Sequence, residues 1–153
     1  MSLRLQQTLG WVLVAFGGLI YLTFRPTTIL MFYIADSMGL MPSVMSWRSW
    51  MATWQPAEFW VYSLPGGLWA SAYILLVYGL LSRQPALLRL TVTSSIPMVG
   101  VVSELLQGVH CLPGVFDWTD LSCYATPLVL LYIYEIIKNK TICHGWIAST
   151  VSN

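Results

Sequence analysis

Glu104, Gln107, His110, Cys111, Asp117 and Asp120 crowd into the stretch "SELLQGVHCLPGVFDWTDLS", which long apolar runs flank on both sides. Three of the chain's six carboxylates lie in this stretch. Glu104 and Gln107 are three apart and so share one face of a helix. Carboxylates crowded at low dielectric cannot all ionise freely, which is the starting point for an acid/base pair. The same oxygens suit a divalent cation, with His110 as a nitrogen ligand, although the spacing matches no metal motif. His110 beside Cys111 suggests a base and a nucleophile, but neighbours in sequence point their side chains apart on a helix or strand. A purely structural role is equally available to the aspartates. Asp117 suits a helix N-cap and Asp120 the third helical position, where a carboxylate favours the helix dipole.

The elements that must position these groups belong to a membrane protein. The 153 residues are 57% hydrophobic and only 8% charged, with a mean hydropathy of +0.69. Soluble domains carry roughly 25% charged residues. A net charge of +1 gives no case for nucleic acid, which demands clustered Lys and Arg. The cysteines Cys111, Cys123 and Cys143 are odd in number and lack metal-finger spacing. A Cys111–Cys123 bridge is conceivable on an oxidising side. No linker, repeat or low-complexity tract divides the chain, so residues 1–153 form a single membrane domain.

Charges punctuate the apolar runs. Residues 5–24 are uncharged and long enough to cross a bilayer core of about 30 Å. The run lacks a small-residue cleavage site and ends at Arg25-Pro26, so it reads as a retained span. "PTTILMFYIADSMGL" is too short to cross. Residues 42–55 follow, with Trp47, Trp50 and Trp54 at i, i+3 and i+7 on one helical face. Tryptophan favours the boundary between hydrocarbon and headgroups, which predicts a helix lying on the membrane surface. The second span covers 59–82, and its Pro65-Gly66-Gly67 triplet predicts a kink packed against other helices. "RQPALLR" reads as a turn with two positive charges. Spans over 90–108 and 120–137 complete the set, and a polar tail covers 138–153.

The fold expected is therefore all-α and polytopic, with four transmembrane helices and a Trp-rich interfacial helix. Four spans put both termini on one side, with Arg4, Arg83, Arg89, Lys138 and Lys140. The other side carries Arg25 and Arg48 with Asp36, Glu58, Asp117 and Asp120. By the positive-inside rule the termini and the tail are cytoplasmic. The polar stretch and the Trp-rich helix then face outward. In the loop between the last two spans, Pro113-Gly114 is a turn dipeptide. Val115, Phe116 and Trp118 are apolar enough to dip into the interface.

"E-L-L-Q", then a proline–glycine turn, then "F-D-W-x-D" opening a last helix, resembles the VanZ-like family of small bacterial membrane proteins. Glu104, Gln107, Asp117 and Asp120 match the family's E-x-x-Q and D-x-x-D positions within about residues 97–135. Where the family often has an arginine before the aspartates, this chain has Gly114 or Val115. Where it often has an asparagine and a glycine in the last helix, this chain has Tyr124 and Pro127. The resemblance implies a bacterial inner-membrane protein linked to envelope stress or glycopeptide response, with the polar cluster in a non-catalytic binding or accessory role. Two other readings stay open. One is a small subunit of a larger membrane complex, using the Trp47/Trp50/Trp54 face as its contact with a membrane-protein partner. The other is a membrane-embedded enzyme using Glu104 and Asp120 on a lipid-linked substrate. No phosphate-binding glycine loop, nucleophile elbow or HExxH motif occurs, and the sequence leaves cofactor and metal open.

Overall fold

The computed structural model describes the backbone of residues 2–151 and the side chains of residues 2–138. It is all-helical, with no strand among the described residues. Among the described residues seven helices run in order: α1 Leu3–Phe24, α2 Leu30–Ser37, α3 Met41–Met51, α4 Glu58–Tyr62, α5 Leu64–Leu80, α6 Ala86–Gly108 and α7 Trp118–Val151. Four segments among the described residues are long and apolar enough to cross a membrane: Leu3–Phe24, Glu58–Leu80, Ala86–Gly108 and Trp118–Lys138.

Small residues let these helices approach closely, as expected where hydrophobic exclusion from water no longer drives packing. Along α1 and α5, Gly10 packs on Leu76 and Ala72, Gly17 on Trp69, and Gly79 on Leu3 and Gln6. Numbers rise along one helix as they fall along the other, so the pair is antiparallel. The Trp69 indole donates to the Val14 carbonyl at 3.3 Å across the same seam. α5 and α6 are likewise antiparallel, tied by the Tyr73 hydroxyl to the Val92 carbonyl at 2.9 Å. α7 runs antiparallel to α6 and parallel to α5, which leaves two distinct ends to the bundle. One end gathers Tyr21, Ser63, Glu104 and Asp120, and the other gathers Gln6, Tyr78, Arg89 and Glu135.

The Pro65 triplet acts where expected, with its effect displaced upstream. Proline clashes with the turn before it, and the second span divides into α4 and α5 at Ser63. Buried Ser63 is held by the Thr119 hydroxyl at 2.9 Å. Gly66 and Gly67 then lie against Tyr124 and Cys123 of α7.

Two expectations need correction. Helix α6 begins at Ala86, after Pro85 at its N-cap, so Arg89 sits one turn inside the helix and is buried rather than in a turn. The last segment apolar enough to cross a membrane ends at Lys138, close to the expected boundary, while helix α7 itself continues to Val151; residues 152–153 lie outside the described residues. Helix α3, in the segment expected over residues 42–55, stops at Met51. Gln55 precedes Pro56, and the residue before proline avoids helical geometry. Trp54 therefore lies beyond the helix, its ring 6.4 Å from that of Phe24. Trp47 and Trp50 remain adjacent on α3, with ring centroids 5.2 Å apart.

Candidate functional site

Glu104 projects from α6 one turn before its end and is 6% exposed. The loop after α6 brings Asp117 to it: the Asp117 N–H donates to Glu104 Oε2 at 3.5 Å. Asp120, in the first turn of α7, lies with Asp117 within electrostatic range of Glu104. The three carboxylates thus converge at one end of the bundle. Asp120 Oδ1 is buried and accepts no hydrogen bond. Among the described residues the one ion pair lies elsewhere, so no cation pairs with these three groups.

Asp117 caps α7 as its sequence position predicts. Its Oδ1 accepts from the Thr119 N–H at 2.7 Å and from the Thr119 hydroxyl at 2.8 Å. These two donors hold its carboxyl below the usual aspartate range. The Leu121 N–H to Asp117 carbonyl bond, 3.0 Å, starts the helical ladder.

Gln107 takes a different role. Its side-chain oxygen packs against Gly114, where an added Cβ would come within 2.6 Å of it. Gly114 also has φ of 138°, so the turn requires glycine for both reasons. Phe116 is half-buried, resting on Gly108 and edge-on to Trp118 at 4.8 Å. Val115 and Trp118 are exposed.

His110 ends α6. The Cys111 N–H bonds the Leu106 carbonyl at 2.8 Å and the His110 N–H bonds the Gln107 carbonyl at 3.0 Å. This pair of bonds is a Schellman motif, with His110 at the left-handed position, φ 58°. His110 is exposed, and no group of three His, Cys, Asp or Glu among the described residues could hold a metal ion. The divalent-cation arrangement with His110 as ligand is therefore not formed. Cys111 and Cys123 are free thiols, so no bridge joins them.

Tyr124 lies on α7 one turn beyond Asp120. Its ring fills a notch between Gly66 of α5 and Gly100 of α6, where a Cβ on Gly100 would come within 2.6 Å of it. Asp120, Tyr21 and Glu104 all lie within electrostatic range of its hydroxyl. Tyr124 therefore floors the carboxylate cluster, a role its sequence position does not announce.

The Trp-rich segment reaches the same end of the bundle by a specific latch. Arg48 of α3 donates to the Leu22 carbonyl at 2.8 Å and the Arg25 carbonyl at 2.9 Å. It thereby caps the unsatisfied C-terminus of α1, where a cation is also favoured by the helix dipole. The Trp47 indole donates to the Thr23 hydroxyl at 2.8 Å. Trp47 is thus engaged through its indole nitrogen although its ring is partly exposed, and Trp50 and Trp54 are more exposed still. Arg25 stacks on the Tyr21 and Tyr62 rings, 4.9 and 4.4 Å from their centroids.

The opposite end holds a polar network that sequence reasoning missed. Arg89 Nη2 and Nε donate to Glu135 Oε1 at 2.8 and 3.2 Å. The Tyr78 hydroxyl donates to the same oxygen, and Lys138 Nζ donates to the Tyr78 hydroxyl at 3.2 Å. Arg89 and Glu135 are 7% and 3% exposed. The available signal was Glu135 itself, a carboxylate inside an apolar run that needs a partner. Once the site and its counterpart are in view, comparison with known proteins adds no identity: no family, curated protein or solved structure matches the chain.

Proposed function

We propose that the chain is a non-catalytic VanZ-like protein of the bacterial inner membrane, in which Glu104, Asp117 and Asp120 form an outward-facing docking pocket. The observation that carries this reading is a buried glutamate gathered with two aspartates, one of which keeps a buried oxygen without a hydrogen-bond donor. A group that donates hydrogen bonds or carries positive charge would satisfy that oxygen and relieve the like-charge crowding. The pocket's role is then recognition within envelope stress or glycopeptide response.

Charge distribution supports cytoplasmic termini. Arg4, Arg83 and Lys138 flank the spans at one end, with Arg89 neutralised by Glu135. The other end has Arg25 and Arg48 beside Asp36, Glu58, Asp117 and Asp120, and the basic bias marks the cytoplasmic side. Thiol labelling of intact cells should reach Cys111 from outside and Cys143 only after permeabilisation; the reverse pattern inverts the orientation.

Glu104→Gln and Asp120→Asn test the pocket. Both proteins should be made and melt normally, yet lose the effect of the wild-type gene on teicoplanin susceptibility. Full retention of that effect in both variants removes the pocket from the function. A second reading, a subunit of a larger membrane complex, is favoured by the exposure of Trp50 and Trp54. It expects a stable partner to co-purify in mild detergent and to be lost from a Trp50→Ala/Trp54→Ala protein.

A further inference from the structure

Helices α1, α5 and α7 leave a crevice of about 260 Å³ between them, lined by Gln6, Ser71, Leu75, Tyr78, Pro127 and Tyr134 together with aliphatic side chains. Its walls run from Ser71 to Tyr78 on α5 and from Pro127 to Tyr134 on α7, roughly 10 Å of helix axis on each. The polar lining is already engaged at one point, since Gln6 Nε2 donates to the Leu75 carbonyl at 2.9 Å. The rest of the surface is chiefly hydrocarbon.

The polar end of this crevice carries a surplus of positive charge. Lys138 continues the same face of α7 one turn beyond Tyr134, and its Nζ donates to the hydroxyl of Tyr78, a lining residue. Arg89 lies 5.0 Å from the Tyr78 ring centroid. Glu135 is taken up by Arg89, and among the described residues Lys138 has no carboxylate within ion-pair distance. Two cations against one carboxylate leave one positive charge over. Lysine near a helix end extends its stem along apolar surface and carries its ammonium to headgroup level.

We propose that this crevice seats one acyl chain of an anionic phospholipid, with the lipid phosphate at Lys138. Charge complementarity selects the headgroup, and the apolar walls accept the chain. The site lies at the opposite end of the bundle from Glu104 and Asp120, so it stands whatever that pocket does.

The test uses the purified full chain in neutral detergent, titrated with phosphatidylglycerol or with phosphatidylcholine of the same acyl chains. Native mass spectrometry counts bound lipid and thermal melting reports its stabilisation. One equivalent of phosphatidylglycerol should bind about fivefold more tightly than phosphatidylcholine, the effect of one basic charge near an anionic headgroup. Lys138→Gln should erase that preference. Leu130→Trp, which fills the crevice from its rim, should weaken both lipids, with Ser71→Leu as a second plug if the first fails to fold. Arg83→Gln, exposed and outside the crevice, should change neither. Equal binding of the two lipids overturns the proposal. So does a preference lost in Arg83→Gln but kept in Lys138→Gln, which would assign it to general surface charge.

Discussion

Glu135 and Glu104 are both buried carboxylates on helices long and apolar enough to cross a membrane. Although Glu135 Oε2, like Asp120 Oδ1, is buried without a hydrogen-bond partner, the two ends of the bundle differ in counter-charge. Glu135 receives two guanidinium donors and a tyrosine hydroxyl on a single oxygen. Glu104 receives one long bond from a backbone N–H and faces two further carboxylates. A charge in a bilayer normally pairs inward or marks a working site. The Glu135 end follows the first course and is explained by holding α5, α6 and α7 together. The Glu104 end has no counter-charge among the described residues, so packing alone does not account for its composition.

Removing each carboxylate should separate the two ends most sharply. Glu135→Ala leaves Arg89 buried without its partner and should cost about 3–5 kcal/mol. Glu104→Gln keeps the side chain's volume and an acceptor for the Asp117 N–H while removing one like charge, so stability should stay within about 1 kcal/mol of wild type. Chemical unfolding in one detergent measures both. Equal losses at the two ends would break the contrast and make Glu104 another structural anchor.

The second effect concerns what floors the carboxylate cluster. Gly100→Ala drives a Cβ into the Tyr124 ring, whose nearest atom is 2.6 Å away. A ring wedged between two helices has little freedom to yield, and overpacking of this kind costs about 1–3 kcal/mol. Gly100→Ala/Tyr124→Leu should recover part of the loss if the clash is the cause. A double variant no more stable than the single one would place the strain elsewhere.

The spans were legible because the events that define them are local. Arg4, Arg25, Glu58 and Arg83 punctuate apolar runs, Asp117 caps the last helix through its own neighbours, and Pro113-Gly114 turns the chain. The Arg89–Glu135 pair was not legible, because its members are 46 residues apart and nothing in either local sequence states which helix faces meet. Arg89 accordingly read as a flanking charge. Trp54 fits a helical period, but Pro56 decides where the helix ends. The carboxylates were found because their loop is short, whereas the glycine notch that seats Tyr124 belongs to two other helices and leaves no sign in the residues around it.

A smaller effect tests the helix end that delivers Glu104. His110 holds the left-handed position of the Schellman motif, which costs a residue with a Cβ roughly 1–2 kcal/mol. His110→Gly removes that cost but adds chain entropy to the unfolded state, so a net gain of up to about 1 kcal/mol is expected. The melting temperature should rise with the Glu104 carboxylate cluster unaltered. A fall would show that the imidazole contributes a contact worth more than the relieved strain.

The smallest effect is the pH response of Asp117, which distinguishes its cap from its membership of the acidic cluster. Thr119 lowers this carboxyl below the usual aspartate range through two hydrogen bonds. A group lowered in the folded state stabilises fully above its unfolded value, and that contribution fades as pH falls toward the folded one. Wild type should therefore lose a little stability from about pH 5 downward. Asp117→Asn retains an acceptor for Thr119 without the ionisation, so subtracting its melting curve should flatten this component. Asp117→Ala lacks both acceptor and charge and should be less stable than Asp117→Asn at neutral pH. If wild type and Asp117→Asn instead decline in parallel, the acid response belongs to other carboxylates. The cap would then be a matter of geometry, leaving Asp117's charge to the pocket.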